Sequence, residues 1–237
     1  MKKIGLFYLS VIFPALLYSQ TFRKLKPEQV YSSPWNSSTI RNVLLNNETI
    51  NNESSKPYYE SVTGSPFVND TYLPVRLNNY QTVVTARYDA CKDLFEIKNA
   101  EKTFYFAKNI GNKVIFTNSD LKYQVFQNKD NSKSFYKVDF EQKNSFILIK
   151  ERVNLYGGEK PKNTYDDYKQ AYFKKVKDKT FISLDANDAL KVPSSSKKFL
   201  KLFEEKKNDI KSYIKANKLD HKKINDLKQI LTFFNTL

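Results

Sequence analysis

The chain has 237 residues, of which 40 are Lys or Arg and 25 are Asp or Glu, so its formal net charge at pH 7 is +15. Its one cysteine, Cys91, excludes an internal disulfide, and its one histidine, His221, excludes sites built from several histidines. The length allows one or two domains, and the fold must be held together by an ordinary hydrophobic core.

The first 19 residues have the pattern of a secretory signal peptide. Met1-Lys2-Lys3 is a short basic start, an apolar run extends from Ile4 to Leu17, and Ser19 is a small residue at the expected cleavage point. The run is shorter than the roughly 20 residues of a membrane-spanning helix, and Pro14 interrupts it. We therefore predict export with cleavage before Gln20, and no transmembrane segment after cleavage.

Residues 20–63 are predicted to form an extended or partly disordered N-terminal arm. Residues 46–55 are rich in Asn, Glu, Ser and Thr, a composition with too little apolar surface to form a core. Within the arm, residues 37–45 favour one short capped helix. Trp35, just before it, is expected either to anchor the arm on the core or to stack on a ligand.

Residues 64–190 are predicted to form an antiparallel β domain. Apolar and polar residues alternate, as in the run from Tyr136 to Phe140, which is typical of a strand with one buried face. The connections are too short for helical crossovers, so neighbouring strands should pair antiparallel. The predicted turns are rich in Asn, Asp and Gly, and they are Asn78-Asn79, Asn99-Ala100-Glu101, Asn109-Ile110-Gly111-Asn112, Asn118-Ser119-Asp120 and Asn128-Lys129-Asp130-Asn131.

Three segments carry more specific predictions. Pro74 cannot donate to a ladder, which favours an edge strand over residues 72–77. Residues 146–149 are apolar on both faces, which favours a central strand. Residues 171–184 are predicted to form a final hairpin of the same sheet that turns at Lys177-Asp178-Lys179.

Residues 191–237 are predicted to form a helical C-terminal segment. Phe199, Leu202 and Phe203 recur at helical spacing, and Lys fills the other positions. Asp220 is placed to cap the last helix. The predicted fold class is therefore α+β: an antiparallel β sheet or small open barrel followed by a short helical C-terminal tail, packed on the sheet or on itself.

Several stretches resemble a group of uncharacterised exported proteins of the Bacteroidota. They are the loop of residues 64–70, the strands rich in Tyr and Phe, the Lys-rich run of residues 206–219 and the ending of residues 233–237. The resemblance implies a place in the envelope of a Gram-negative bacterium, in the periplasm or associated with the outer membrane. It supplies no catalytic residue to carry over.

No catalytic residue, cofactor or metal ligand is assigned from the sequence. Asp166-Asp167 is the best candidate for glycan chemistry, which needs two carboxyl groups across a bond, with Glu141 or Glu151 as the partner. His221 is interpreted as a solvated turn residue. The candidate binding residues are aromatic side chains outside the predicted core face or beside Asp166-Asp167, namely Trp35, Tyr105, Phe126, Phe135, Tyr165 and Tyr168.

The leading hypothesis is a non-catalytic exported protein of the cell envelope that acts through protein–protein contact, as an accessory subunit of an outer-membrane or periplasmic assembly. It depends on predicted aromatic residues on both sheet faces and on an arm that orders on binding. The alternative is a binder of anionic envelope glycan (peptidoglycan or lipopolysaccharide) or of a lipid headgroup, driven by Lys. The second alternative is a carboxylate-based envelope hydrolase. Nucleic acid is not expected, because only five of the basic residues are Arg.

Overall fold

A computed structural model of the chain describes residues 62–99, 102–158 and 169–237. The predicted signal peptide, all but the last two residues of the arm, Trp35, Asp166-Asp167 and the tyrosines beside them lie outside the described residues. The described part forms an antiparallel sheet followed by short helices, which confirms the predicted α+β class.

Ten strands form one open sheet in the order β10-β9-β8-β7-β6-β5-β1-β2-β3-β4, and every pairing is antiparallel. Four of the predicted Asn-rich turns lie between strands, and the fifth lies partly outside the described residues. Asn78 and Asn131 adopt the left-handed backbone that Asn tolerates. The strands are β1 (Leu73–Leu77), β2 (Val83–Asp89), β3 (Leu94–Asn99), β4 (Lys102–Tyr105), β5 (Lys113–Phe116), β6 (Lys122–Gln127), β7 (Lys133–Gln142), β8 (Ser145–Tyr156), β9 (Tyr172–Ser183) and β10 (Leu190–Lys191).

The prediction that the strand containing Pro74 is an edge strand is wrong. Strand β1 lies inside the sheet between β2 and β5. The carbonyl of Pro74 accepts a hydrogen bond from the amide of Thr117 at 3.1 Å, on the β5 side. A residue in an antiparallel ladder directs its N and O toward the same neighbour. The missing N–H of Pro74 therefore points past the last residue of β5, Phe116, and the ladder is not interrupted.

The predicted final hairpin is also wrong, because its two halves form the single strand β9. This strand pairs with β8 along its length, from Tyr156↔Tyr172 to Phe146↔Ser183. Between the pairs Lys150↔Lys179 and Arg152↔Val176, two residues of β9 oppose one residue of β8. This bulge accommodates the charged residues that were interpreted as a turn, and the strand continues through it. Both halves belong to the same sheet as the other strands, as predicted.

The sheet curves around its main core. One cluster of buried side chains draws on strands from β1 to β9, and its largest members are Tyr88, Phe95, Phe106, Tyr123 and Phe135. The rings of Phe95 and Phe135 meet edge to face with centroids 5.0 Å apart. Side chains from strands far apart in the sheet order thus share one core.

The opposite face around β6, β7 and β8 is covered by the chain itself. Phe126, Tyr136, Phe146 and Leu148 form a second buried cluster with Ala189. Residues 185–189, which connect β9 to β10, reach the end of β6, where the Gln127 amide donates to a carbonyl of this segment at 2.9 Å. We call residues 185–189 the strap. The predicted central strand is confirmed, since β8 lies inside the sheet and residues 146–148 are buried on both faces.

The helical tail consists of α1 (Ser196–Leu200), a 3-10 helix (Lys201–Lys206), α2 (Lys207–Ala216) and α3 (Ile224–Phe234). Its buried side chains pack on Ile147 of β8 and Ile182 of β9, and they are Phe199, Phe203, Ile210, Leu227, Ile230 and Leu231. Asn235, at the end of α3, is held at the β7–β8 turn, where Ser145 Oγ donates to its side-chain oxygen at 2.9 Å. The tail is therefore part of the folded domain. Across the described ranges, no helix has the length and apolar character needed to cross a bilayer.

Candidate functional site

Of the predicted binding residues, three lie in the described part of the chain. Tyr105 is half-buried at the end of the edge strand β4. Phe126 and Phe135 are fully buried, each at 0% relative exposure. The prediction that these two rings belong to an exposed interaction surface does not fit the structure. Phe126 is packed under the strap, and Phe135 faces the main core.

The Asp93 carboxylate, in the β2–β3 turn, is the centre of a cluster of charged and polar groups. Its Oδ1 accepts hydrogen bonds from the Lys150 ammonium at 2.5 Å, the Tyr88 hydroxyl at 2.8 Å and the Phe135 amide at 3.1 Å. Lys108 approaches its Oδ2 at 3.3 Å. Asp93 thereby connects the β2–β3 turn to β7 and β8, which are distant in the sheet order.

Lys150 completes this cluster from β8. Besides Asp93, its ammonium donates to the Phe135 carbonyl at 2.9 Å and to the Tyr88 hydroxyl at 3.1 Å. Burial lowers the pKa of Lys150, while the Asp93 charge opposes the shift. Burial first, and then the Asp93 charge, raise the pKa of the Tyr88 hydroxyl well above its usual value. These groups satisfy one another's hydrogen-bonding capacity, so the cluster holds the β2–β3 turn against β7 and β8 and presents no open site.

Both glutamates considered as hydrolase partners are engaged elsewhere. Glu151 is 6% exposed and accepts a hydrogen bond from the buried Tyr123 hydroxyl. Glu141 pairs with Lys122 and, at 3.9 Å, with Lys113. Asp166-Asp167 lies outside the described residues, so the hydrolase hypothesis stays an untested prediction.

His221 is buried, which corrects its interpretation as a solvated turn residue. Its ring stacks on Phe199 with centroids 4.5 Å apart, and its Nε2 lies 3.0 Å from the Pro193 carbonyl oxygen. It is 5% exposed. The ring joins the start of the helical tail to the turn before α3, which is a packing role.

A second cationic cluster orders the loop that precedes β1. The Arg87 guanidinium lies between two aromatic rings, 3.5 Å from the centroid of Phe67 and 4.4 Å from that of Tyr72. Its Nε is 2.8 Å from Glu96 Oε2, which also accepts from the Tyr72 hydroxyl at 3.0 Å. The planar Arg side chain thus fixes residues 67–72 against β2 and β3.

The strongest candidate for an external binding site is one face of β8 and β9, beyond the bulge. Three successive cross-strand pairs, Arg152↔Val176, Asn154↔Lys174 and Tyr156↔Tyr172, share this face because alternate residues of a strand point the same way. We call these six residues the outer β8–β9 face. The residues between them, such as Val153 and Phe173, pack into the main core. One face of this region is therefore buried and the other is solvated.

Two stacked tyrosines end the outer β8–β9 face. The rings of Tyr156 and Tyr172 lie 5.6 Å apart between centroids, at 23° to each other, and are 38% and 43% exposed. The Asn154 side-chain amide donates to the Tyr156 hydroxyl at 3.1 Å. Exposed aromatic pairs of this kind offer a large contact area at low entropic cost, since each ring has only two side-chain torsions.

Positive charge extends along β9 from Lys174, next to the tyrosines, to Lys179 beyond the bulge, while Lys175 pairs with Val153 and so belongs to the other face of the strand. Lys174, Lys175, Lys177 and Lys179 of β9 are all exposed, and no ion pair engages them within the described ranges. The charge of Arg152, followed by slight burial and the charge of Lys191, holds the pKa of Lys179 below its usual value. Such crowding of like charges in the free protein favours an anionic ligand.

Sequence reasoning missed this face for a definite reason. Tyr156 and Tyr172 are 16 positions apart, and only the β8–β9 register brings them together. The available signal was their position on either side of the Gly157-Gly158 connection, next to the predicted Tyr165 and Tyr168. No family model, curated protein or solved structure matches this chain.

Proposed function

We propose that this protein is a non-catalytic exported protein of the cell envelope that acts by binding an anionic envelope component through the outer β8–β9 face. The observation that carries the proposal is that exposed cations follow the Tyr156–Tyr172 stack along β9. Lys174 lies in the cross-strand pair next to the stack, and Lys177 and Lys179 lie near Arg152, at the other end of the face. Export is supported by the signal-peptide pattern of the first 19 residues, and the envelope location by the resemblance to exported proteins of the Bacteroidota.

The hypothesis that a second face of the sheet binds a protein partner has less support. That hypothesis depended on aromatic residues exposed on both faces, and Phe126 is covered by the strap. The remaining exposed surface on β8 and β9 is dominated by charge, whereas the centres of protein–protein interfaces are depleted of Lys. An anionic component, in particular envelope glycan, is therefore favoured over an uncharged protein surface.

The test is co-sedimentation of the purified protein with isolated envelope fragments at low and high salt. We expect retention at low salt and release at high salt, because exposed charges are screened within about 10 Å at 0.1 M salt. Failure to co-sediment at low salt would contradict the proposal.

A matched pair of variants separates this face from net charge. Lys174→Glu/Lys177→Glu reverses two charges on β9, and Lys197→Glu/Lys198→Glu reverses two exposed charges at α1. We expect the first variant to lose retention and the second to keep it. Equal loss in both variants would mean that binding follows overall charge and not this face. Because Glu is charged like Lys, the substituted part of β9 keeps charged side chains, which protect exposed strands against aggregation.

A further inference from the structure

We propose that the ligand of the outer β8–β9 face is an acidic polysaccharide, with the Tyr156–Tyr172 stack contacting sugar rings and the neighbouring cations pairing with carboxylates of the same strand. This inference rests on the proposed function and names the ligand class and the contact residues. It follows from the order of side chains along the face.

The face has the composition that an acidic sugar strand requires. Its three cross-strand pairs succeed one another at intervals of about 7 Å, so the tyrosine stack and Arg152 are about 13 Å apart. Sugar rings have apolar faces that pack on aromatic rings and hydroxyl rims that need hydrogen-bond partners. Asn154 and Lys174, in the middle pair, supply polar groups between the stack and the guanidinium.

The tyrosine stack has a rigid base. Directly after Tyr156, Gly157 and Gly158 both have positive φ, and a Cβ on Gly157 would lie 2.5 Å from the Gln170 carbonyl oxygen. The Gly158 amide donates to the Lys169 carbonyl at 2.8 Å, so the chain ends that leave β8 and enter β9 are held together. The stack is thus preformed, which reduces the entropic cost of binding.

Other anionic polymers fit the same face less well. Single-stranded nucleic acid is bound through phosphates, for which Arg is the preferred partner, yet Arg152 is the one arginine among these cations. Insertion into an anionic bilayer needs exposed aliphatic side chains, but Val176 is half-buried and the exposed large side chains of the face are the two tyrosines. An acidic protein would pair with the same cations and contact the tyrosines, so poly-glutamate is included in the titration as the competing ligand class.

The experiment is titration of the purified protein with a polyuronate oligosaccharide, in parallel with a neutral oligosaccharide of equal length, oligo(dT), poly-glutamate and vesicles of anionic phospholipid. We expect polyuronate to bind most tightly and the neutral oligosaccharide at least about tenfold more weakly, since it retains stacking and loses the charge pairing. Tighter binding of oligo(dT), poly-glutamate or vesicles than of polyuronate would overturn the inference.

Variants at the stack test the contact residues. Tyr156→Ala/Tyr172→Ala should weaken polyuronate binding by about tenfold, whereas Tyr156→Phe/Tyr172→Phe should bind like wild type, because the rings and not the hydroxyls make the contact. Circular dichroism of each variant checks that the sheet is intact, and the Phe variant provides the test if the Ala variant does not fold. Unchanged binding by a folded Ala variant, or tenfold weaker binding by the Phe variant, would overturn the role of the stack.

The two proposals fail in different ways. Retention by envelope fragments without polyuronate binding would overturn the polysaccharide assignment and leave the proposed function standing. Absence of retention by envelope fragments would overturn the proposed function itself.

Discussion

Asp93→Asn is expected to destabilise the fold strongly, although the substitution changes no side-chain shape. Asn tolerates the left-handed backbone that Asp93 adopts at φ 59°, so the change isolates the charge. Three hydrogen bonds to Oδ1 lose their charged acceptor, and each charge-assisted bond is worth about 1 kcal/mol more than a neutral one. The Lys150 ammonium also loses its closest counter-charge. We therefore expect a loss of about 3 kcal/mol in the free energy of unfolding, consistent with breaking a largely buried ion pair.

The assay is urea unfolding at pH 7 followed by far-ultraviolet circular dichroism. The matched control is Glu141→Gln, which removes a carboxylate paired with Lys122 and Lys113 at the surface. Exposed ion pairs contribute about 0–1 kcal/mol, so this variant should stay close to wild type. The double variant Asp93→Asn/Lys150→Met should be less destabilised than the sum of its single changes by about 1–3 kcal/mol.

Two results would refute this reasoning. One is a loss below about 1 kcal/mol for Asp93→Asn, comparable to the surface control. The other is strict additivity of the Asp93 and Lys150 changes, which would mean that the two groups do not interact in the folded protein. The comparison requires that the free energy of unfolding depends on urea concentration with the same slope in every variant. A changed slope would indicate an altered denatured or native state.

Three further predictions test other parts of the fold by the same unfolding assay. Gly64→Ala should cost more than Gly111→Ala, because both residues have positive φ but only at Gly64 would the new Cβ meet a backbone oxygen, that of Phe173 at 2.7 Å; equal costs would contradict this. Burial first and a neighbouring carboxylate second raise the pKa of Tyr123, so its stabilising contribution is complete below about pH 10 and falls as the pH rises further. Tyr123→Phe should therefore lose stability less steeply than wild type between about pH 9.5 and 11, and parallel pH profiles would argue against a buried neutral hydroxyl. Leu227→Ala, in the fully buried interface of α3, should cost about 2–5 kcal/mol in the same cooperative transition as the sheet, and a separate early transition would show that the tail is an independent unit.

Local features of the fold were predictable from the sequence, and its long-range pairings were not. Four of the Asn-rich turns and a central strand over residues 146–149 follow from backbone preference and hydrophobic pattern, and both agree with the structure, in which residues 146–148 are buried. The edge-strand prediction from Pro74 was wrong because the missing N–H disrupts a ladder only if a neighbouring strand lies opposite it, and β5 ends before that point. The hairpin prediction from the charged residues 177–179 was wrong because a turn and a β-bulge have similar composition.

The candidate site was less predictable than the fold. Phe126 and Phe135 were both predicted to lie outside the core face, whereas the register places them on opposite faces, and both faces are covered. What covers each face depends on the strap and on the curvature of the sheet, which the sequence pattern does not show. The Tyr156–Tyr172 stack depends on the register of β8 with β9, and the sequence does not specify that register. The lysines of β9 were visible in the sequence, yet only the register shows that Lys174 lies next to that stack and that Lys177 and Lys179 lie near Arg152.

The strand order also has a consequence for how the chain folds. Among the strands that the structure describes, each pairing joins consecutive strands except that of β1 with β5. Strands β1–β4 and β5–β10 can therefore each assemble by pairing of consecutive strands. Joining the two groups at Arg76↔Ile115 closes a loop of roughly 40 residues, which costs about 3 kcal/mol of chain entropy. We expect this joining to be the slow step, and the Asp93–Lys150 contact, which fastens the first group of strands to the second, to form only after it.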